Sequence, residues 1–185
     1  MVQWETGRRG WRIGGPTAPA YRDGRWKGIR VEPLIALVVG FTAARLAGLL
    51  GAGAFAGWQP ALRAGLVAMF LLTSIAHFAP GLRPQLVDMV PPWMPGADLL
   101  VTATGLLEAA GAVGLLIPVT ARWAAGGLIA LMIAVFPANV SAARRGVAQG
   151  DPLGPRTLLQ IVYIAAVAAT LVRPARPRAS APRFT

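Results

Sequence analysis

The sequence of 185 residues contains no cysteine and one histidine, His77. The absence of cysteine excludes disulfides, iron–sulfur clusters, thiolate zinc sites and CxxC exchange chemistry. One histidine cannot provide the two axial ligands of a haem held between a pair of histidines. The side chains of this chain therefore cannot supply a redox centre, and the sequence predicts no metal site.

Acidic residues are also scarce, since seven Asp and Glu stand against 18 Lys and Arg, for a formal net charge of +11. Many of the basic residues lie in two tails, residues 1–31 and 173–185. Such tails are typical of topology signals and anionic lipid contacts, and no folded module is evident that would present them to a nucleic acid. We therefore expect the lipid bilayer as a partner, no nucleic acid, and a disordered or surface-lying tail over residues 1–31.

Apolar residues are abundant: 55% of the chain is hydrophobic and only 14% is charged. Continuous apolar stretches favour membrane-spanning helices over barrel strands, which alternate in polarity, and about 20 residues of helix cross the hydrocarbon layer. The sequence thus predicts an all-α, polytopic membrane protein with five transmembrane helices. Counting basic residues on each side does not decide the orientation. The five stretches are 33–57, 61–79, 97–117, 123–140 and 157–172.

Two charged residues, Glu108 and Arg45, lie well inside these stretches. An acid at such a depth is costly, which makes Glu108 a candidate functional residue. It can hold helices together through hydrogen bonds, helped by the small residues Gly105, Ala109 and Ala112 on its face, or it can carry a proton or bind a headgroup. Because Arg45 lies about equally deep in its own stretch, we also predict an ion pair between Arg45 and Glu108.

Three further polar residues, His77, Asn139 and Gln160, lie nearer the ends of their stretches. A structural interpretation makes His77 an interfacial side chain and gives Asn139 the cap of the turn that Pro137 leaves without a donor. A functional interpretation joins these three with Glu108, because a quinone site needs polar groups for the ring carbonyls within apolar walls. The predicted intramembrane polar site is therefore His77, Glu108, Asn139 and Gln160, from four different stretches.

The connection over residues 80–96 is unusually rich in proline and includes Pro91, Pro92 and Trp93. Proline favours an extended chain that cannot continue a helix, and tryptophan is preferred at the level of the lipid headgroups. Two interpretations stay open. The segment is either an interfacial anchor or a lid over a cavity whose floor holds Glu108.

Five short blocks carry a family resemblance: AHF at 76–78, MVPPWMP at 89–95, TGLLEAAGAVGLLIP at 104–118, VFPANV at 135–140 and RTLLQIV at 156–162. In order and spacing, over residues 61–172, they resemble the DoxX family of bacterial membrane proteins. The resemblance implies a bundle of four transmembrane helices in the bacterial cell membrane, to which stretch 33–57 adds one N-terminal helix.

DoxX relatives include proteins named for terminal quinol oxidase and thiosulfate oxidation systems. The resemblance therefore implies an accessory or quinone-associated component of a membrane redox system, with other redox subunits as partners. The alternatives are a noncatalytic membrane scaffold and a small proton-coupled transporter. An independent enzyme is not expected, quinone is the one cofactor suggested, and the oligomeric state stays open.

Overall fold

The computed structural model describes residues 31–147 and 153–172, so the two basic tails predicted from the sequence, apart from Val31, lie outside the described residues. Within the described ranges the chain is helical and contains no strand. A single 3-10 turn, Gly53–Phe55, joins the first two helices. The helices are α1 (Glu32–Leu49), α2 (Trp58–Ala76), α3 (Arg83–Met89), α4 (Ala97–Leu116), α5 (Ala121–Arg145) and α6 (Leu153–Ala169).

Four of the described helices, α1, α2, α4 and α5, are long and apolar enough to cross a membrane. Helix α6 is also apolar but has 17 residues, a length of roughly 26 Å at the usual helical rise. The predicted all-helical fold is thereby confirmed, as four long apolar helices and one shorter one.

The first helix ends earlier than the sequence predicts, at Leu49 rather than at residue 57. The chain turns at Gly51, whose φ of 102° lies in the left-handed region that other residues rarely adopt. As a result Arg45 lies about one turn from the end of α1, and not at the centre of a long helix.

The proline-rich connection contains a helix that the sequence analysis missed. Helix α3 begins at Arg83 with Pro84 in its first turn, where the missing N–H of proline costs no helical hydrogen bond. The predicted extended form is therefore wrong for residues 83–89. It applies at Val90, whose φ and ψ of −61° and 134° end α3 in an extended conformation.

Helix α5 extends beyond its predicted end at residue 140, because it continues past Pro137 and ends at Arg145. Pro137 removes one backbone donor, but the helix continues for about two more turns beyond it. The chain then leaves α5 at Gly146, which has a φ of 61°. Helix α6 likewise begins before its predicted start and includes Pro155 near its beginning.

Helix α2 lies at the centre of the packing, between α1 and α4, and α5 and α6 complete the bundle. The largest fully buried side chains come from four of these helices: Leu66, Met69, Leu115, Leu128 and Val167. Leu37 of α1 joins the same core. The additional N-terminal helix is therefore part of the bundle and not a separate appendage.

Polar side chains at one end of the bundle connect α2 with α6. Gln59 donates a hydrogen bond to the carbonyl of Val172, and Arg63 donates to the carbonyl of Thr170 at 3.4 Å. These carbonyls follow the end of α6, where helical acceptors lack partners and a cation is favourable.

Candidate functional site

A cavity of about 360 Å³ lies between α4 and α5, beneath α3 and residues 90–96. We call residues 90–96 the lid segment, because Val90, Pro91 and Met94 line this cavity together with Glu108. That arrangement is the one expected from the lid interpretation of the sequence. Trp93 points elsewhere, since it is 74% exposed and does not line the cavity.

The polar residues of the cavity wall are Thr104 and three of the four residues predicted from the sequence, His77, Glu108 and Asn139. Most of the remaining wall is apolar, with contributions from α3, α4 and α5. The fourth predicted residue, Gln160, does not line the cavity. It accepts a hydrogen bond from Asn139, which does line it, and donates one to the carbonyl of Met132. The structure thus brings the four predicted polar residues to one region.

Glu108 is held by Thr73 on the neighbouring helix α2. The Thr73 Oγ1 and Glu108 Oε2 atoms are 2.7 Å apart, and His77 Nδ1 lies 3.9 Å from the same carboxyl oxygen. His77 Nδ1 is also 2.9 Å from the carbonyl oxygen of Thr73. Because a carbonyl oxygen only accepts, Nδ1 carries a hydrogen and Nε2 is the ring nitrogen left for other partners.

Thr73 gives this cluster two complete hydrogen-bonding arrangements. Its Oγ1 lies within reach of both Glu108 and the carbonyl oxygen of Phe70, the latter at 3.1 Å, but a hydroxyl has one hydrogen to donate. With Glu108 ionised, Thr73 donates to the carboxylate. With Glu108 protonated, Glu108 donates to Thr73, which then donates to Phe70. The hydrogen bond between Thr73 Oγ1 and Glu108 Oε2 is therefore kept in both protonation states of Glu108.

Gly105 explains how α2 and α4 come close enough for these contacts. A Cβ atom at position 105 would lie 2.7 Å from Cβ of His77, closer than real Cβ contacts. The carbonyl oxygen of Gly105 accepts a hydrogen bond from Ser74 Oγ at 2.9 Å. The expectation that small residues beside Glu108 permit a close approach is confirmed at Gly105, and Ala112 is also fully buried.

The predicted ion pair between Arg45 and Glu108 is not formed in the structure. Arg45 Nη1 donates to the carbonyl oxygen of Ala56 at 3.1 Å, in an exposed position beside the α1–α2 connection. Glu108 instead contacts Thr73 and His77. The prediction failed because it assumed a helix reaching residue 57, which would have put Arg45 at its mid-depth.

Asn139 does not cap the turn near Pro137, contrary to the structural interpretation of the sequence. Its Oδ1 accepts from Arg156 at 3.4 Å, and its Nδ2 donates to Gln160 Oε1 at 3.1 Å. Gln160 Nε2 then donates to the carbonyl oxygen of Met132 at 2.6 Å. The two ends of this row of hydrogen bonds fix the orientation of both amides. At one end the guanidinium of Arg156 can only donate, and at the other the carbonyl of Met132 can only accept.

This network predicts non-additive effects of substitutions at Asn139 and Gln160. Asn139→Leu leaves the Gln160 amide without its partner, and Gln160→Leu does the same to Asn139, so each is expected to lower the free energy of unfolding by about 1 kcal/mol. The double variant is expected to lose less free energy of unfolding than the two single variants lose together, as measured by thermal unfolding in detergent. Strictly additive losses would contradict the coupling.

Two arginines missed by the sequence analysis fix α3 and the lid segment over the cavity. Arg145 Nη2, at the end of α5, lies 2.8 to 3.1 Å from the carbonyl oxygens of Asp88, Met89 and Val90. These carbonyls belong to the last turn of α3 and the start of the lid segment. Sequence alone assigns Arg145 only to a basic turn after an apolar stretch, so no signal identifies its targets.

Arg83 makes the corresponding contacts at the other end of α3. It donates to the carbonyl of His77 at 3.0 Å and to Thr102 Oγ1 at 3.0 Å, and it pairs with the Asp98 carboxylate at 3.2 Å. One side chain thereby joins the end of α2, the start of α3 and the first turns of α4. Among the described residues no group of three acidic or His side chains could hold a metal ion.

Comparison with protein families gives one match. Residues 66–172, more than half of the chain, match the family model described as Domain of unknown function (DUF8561). The match begins inside α2 and includes every described residue that lines the cavity, whereas α1 lies outside it. Neither the curated proteins nor the solved structures contain a match to this chain.

Proposed function

We propose a function for this chain, which belongs to the family described as Domain of unknown function (DUF8561), from the chemistry of its cavity. The chain is a multi-pass protein of the bacterial cell membrane that binds a quinone, or an amphiphile of the same kind, beneath the lid segment. Its role is auxiliary to a membrane redox system. The observation that carries the proposal is an apolar cavity whose wall includes His77 and Glu108, with Glu108 hydrogen bonded to Thr73.

The membrane placement is supported by the outer surface of the bundle. Large apolar side chains are exposed on all the long helices, for example Val39 on α1, Ile75 on α2, Leu106 on α4 and Ile133 on α5. Soluble monomers rarely expose contiguous apolar patches beyond a few hundred Å². Hydrocarbon solvates such a surface at no cost, and all four of these helices are long enough to cross it.

The size and polarity of the cavity support a ligand with a flat ring and an apolar body. Its volume of about 360 Å³ falls within the range of roughly 300 to 1,000 Å³ typical of small-molecule sites. His77 can offer Nε2, and the Asn139 amide retains a second hydrogen beyond its bond to Gln160. Glu108 can accept from a hydroxyl or, when protonated, donate to a carbonyl. These groups suit a quinone and its quinol form.

The auxiliary redox role is supported by the resemblance to DoxX proteins and by the composition. The chain has no cysteine and a single histidine, so electrons have to be exchanged with a bound molecule or another protein. In this role the residues of the chain hold and orient the ligand. The Glu108 cluster can take up or release one of the two protons that accompany the interconversion of quinone and quinol.

Glu108→Leu tests the proposal, because it removes the carboxyl group from the wall of the site while filling similar space. We expect the affinity for a short-chain alkyl benzoquinone, titrated against the detergent-solubilised protein, to fall about tenfold, the worth of one hydrogen bond to a charged group. The matched control is Glu32→Leu, the same change at an exposed position in the first turn of α1.

A second probe separates polar recognition from simple partitioning. An alkylbenzene of the same chain length lacks the two carbonyl groups and is expected to bind more weakly to the unaltered protein. Equal binding of both probes, or equal loss of quinone binding in Glu108→Leu and Glu32→Leu, would contradict the proposal.

A further inference from the structure

A second recess, of about 470 Å³, lies on the outer side of the lid segment against the end of α5. Its floor is apolar and includes Pro91, Phe136 and Val140, and Trp93 lies beside them. The indole of Trp93 is largely exposed. Tryptophan in such a position is typical of the boundary between hydrocarbon and headgroups.

The other end of this recess is basic. Arg144 and Arg145, in the last turn of α5, line it together with Ser141. Arg145 is engaged through Nη2 with three backbone carbonyls and donates through Nε to Ser141 Oγ at 3.1 Å. Ser141 therefore accepts in that bond, and its own hydroxyl hydrogen stays available to an incoming acceptor.

Arg144 differs from Arg145 in its contacts. It is exposed, and no hydrogen bond or ion pair joins its guanidinium to another described residue. The end of a helix carries a partial negative charge of about half a unit, which two arginines exceed. The recess thus combines net positive charge, two kinds of hydrogen-bond donor and an apolar floor.

The length of α5 places these donors at the right depth, an argument that rests on the membrane placement proposed above. The helix has 25 residues, a length of roughly 37 Å against a hydrocarbon layer of about 30 Å. One end of α5 therefore extends to the headgroups. The arginines of its last turn can meet a phosphate there while Phe136, two turns earlier, faces the acyl chains.

We propose that this recess binds an anionic phospholipid. The phosphate accepts hydrogen bonds from Arg144 and from the Ser141 hydroxyl, and an acyl chain lies along Phe136 and Val140 beside Trp93. The apolar floor favours a phospholipid over free phosphate, because free phosphate has no apolar part that could contact it. Because Arg145 also holds the lid segment, the bound lipid lies directly against the outer side of the lid over the ligand cavity.

Native mass spectrometry of the detergent-solubilised protein tests this site, with phosphatidylglycerol and phosphatidylcholine as probes. The unaltered protein is expected to retain phosphatidylglycerol in preference. Arg144→Gln is expected to weaken that retention about five-fold, the worth of one arginine near an anionic surface. Trp93→Leu, which keeps an apolar side chain, is expected to weaken the binding of both lipids and to leave the preference for phosphatidylglycerol unchanged.

The matched control is Arg122→Gln, at the opposite end of α5. Arg122 is also an exposed arginine beside a tryptophan, with its guanidinium carbon 5.3 Å from the ring centre of Trp123. An equal loss in Arg122→Gln and Arg144→Gln would overturn the proposal, because it would show attraction by net charge alone. Displacement of phosphatidylglycerol by inorganic phosphate at equal concentration would also overturn it, since the apolar floor would then contribute nothing.

Two further measurements separate this inference from the proposed function. Alkaline carbonate extraction of membranes tests the placement in the bilayer, and release of the unaltered protein would remove the basis of both proposals. Titration with the benzoquinone probe reports on the cavity alone. Arg144→Gln is expected to stay in the membrane and to bind the benzoquinone, while losing the preference for phosphatidylglycerol.

Discussion

Gly65→Ala is expected to lower the free energy of unfolding by about 1 to 3 kcal/mol, the usual cost of overpacking a tight contact. Gly65 lies where α1 crosses α2, and an added Cβ would stand 2.5 Å from the carbonyl oxygen of Leu37 and 2.9 Å from the amide nitrogen of Phe41. Both neighbours are backbone atoms of α1. The two helices must therefore separate, because no side-chain rotation relieves the contact.

Gly126→Ala supplies the matched control, with the same substitution inside α5, where an added Cβ would meet nothing within 4 Å. There the change is expected to be neutral or to stabilise by up to about 1 kcal/mol, since alanine favours a helix over glycine. Thermal unfolding in detergent measures both. A loss of similar size in the two variants would show that helix contact at Gly65 is not the cause.

Arg145→Gln is expected to release the lid segment from the bundle. The substitution removes the guanidinium whose Nη2 lies within hydrogen-bonding distance of three carbonyl oxygens at the end of α3 and the start of the lid segment. A hydrogen bond to a charged group is typically worth about 1.5 to 3 kcal/mol. Amide hydrogen exchange over residues 83–96 is expected to accelerate about tenfold or more, because opening of this segment becomes less costly.

The neighbouring variant Arg144→Gln removes the same charge from the same turn but breaks no hydrogen bond to α3. Exchange over residues 83–96 is expected to stay within about twofold of the unaltered protein in that variant. Unchanged exchange in Arg145→Gln would mean that Arg83 and the apolar contacts of Met89 suffice to hold the segment.

Local sequence predicts the elements of this fold well where a long apolar run meets a clear stop. Helix α4 was predicted over 97–117 and lies at Ala97–Leu116, ended by Pro118. Predictions were wrong where a local signal competed with packing. Helix α5 extends beyond its predicted end at residue 140 to Arg145, and Pro84 lies in the first turn of a helix instead of preventing one, because proline is tolerated at that position.

The sequence predicts only part of the candidate site. Polar residues within apolar runs are conspicuous, so His77, Glu108, Asn139 and Gln160 could be selected from the sequence. Thr73 could not be selected in this way, because threonine is common in apolar helices. Its role becomes evident only from the Glu108 carboxyl group, which lies 2.7 Å from its hydroxyl oxygen on the neighbouring helix α4. The pairing of Arg45 with Glu108 was wrong because α1 ends at Leu49, which places Arg45 near the end of its helix, and because depth along two stretches does not fix which helices are neighbours.

The sequence by itself determined the helical class, the apolar exterior and the residue types available for chemistry, because these follow from composition and the spacing of apolar runs. Only the tertiary structure decided which polar groups meet. Contacts between residues 73 and 108, or 88 and 145, depend on helix rotation and on where each helix ends, and a shift of one residue turns a side chain by about 100°.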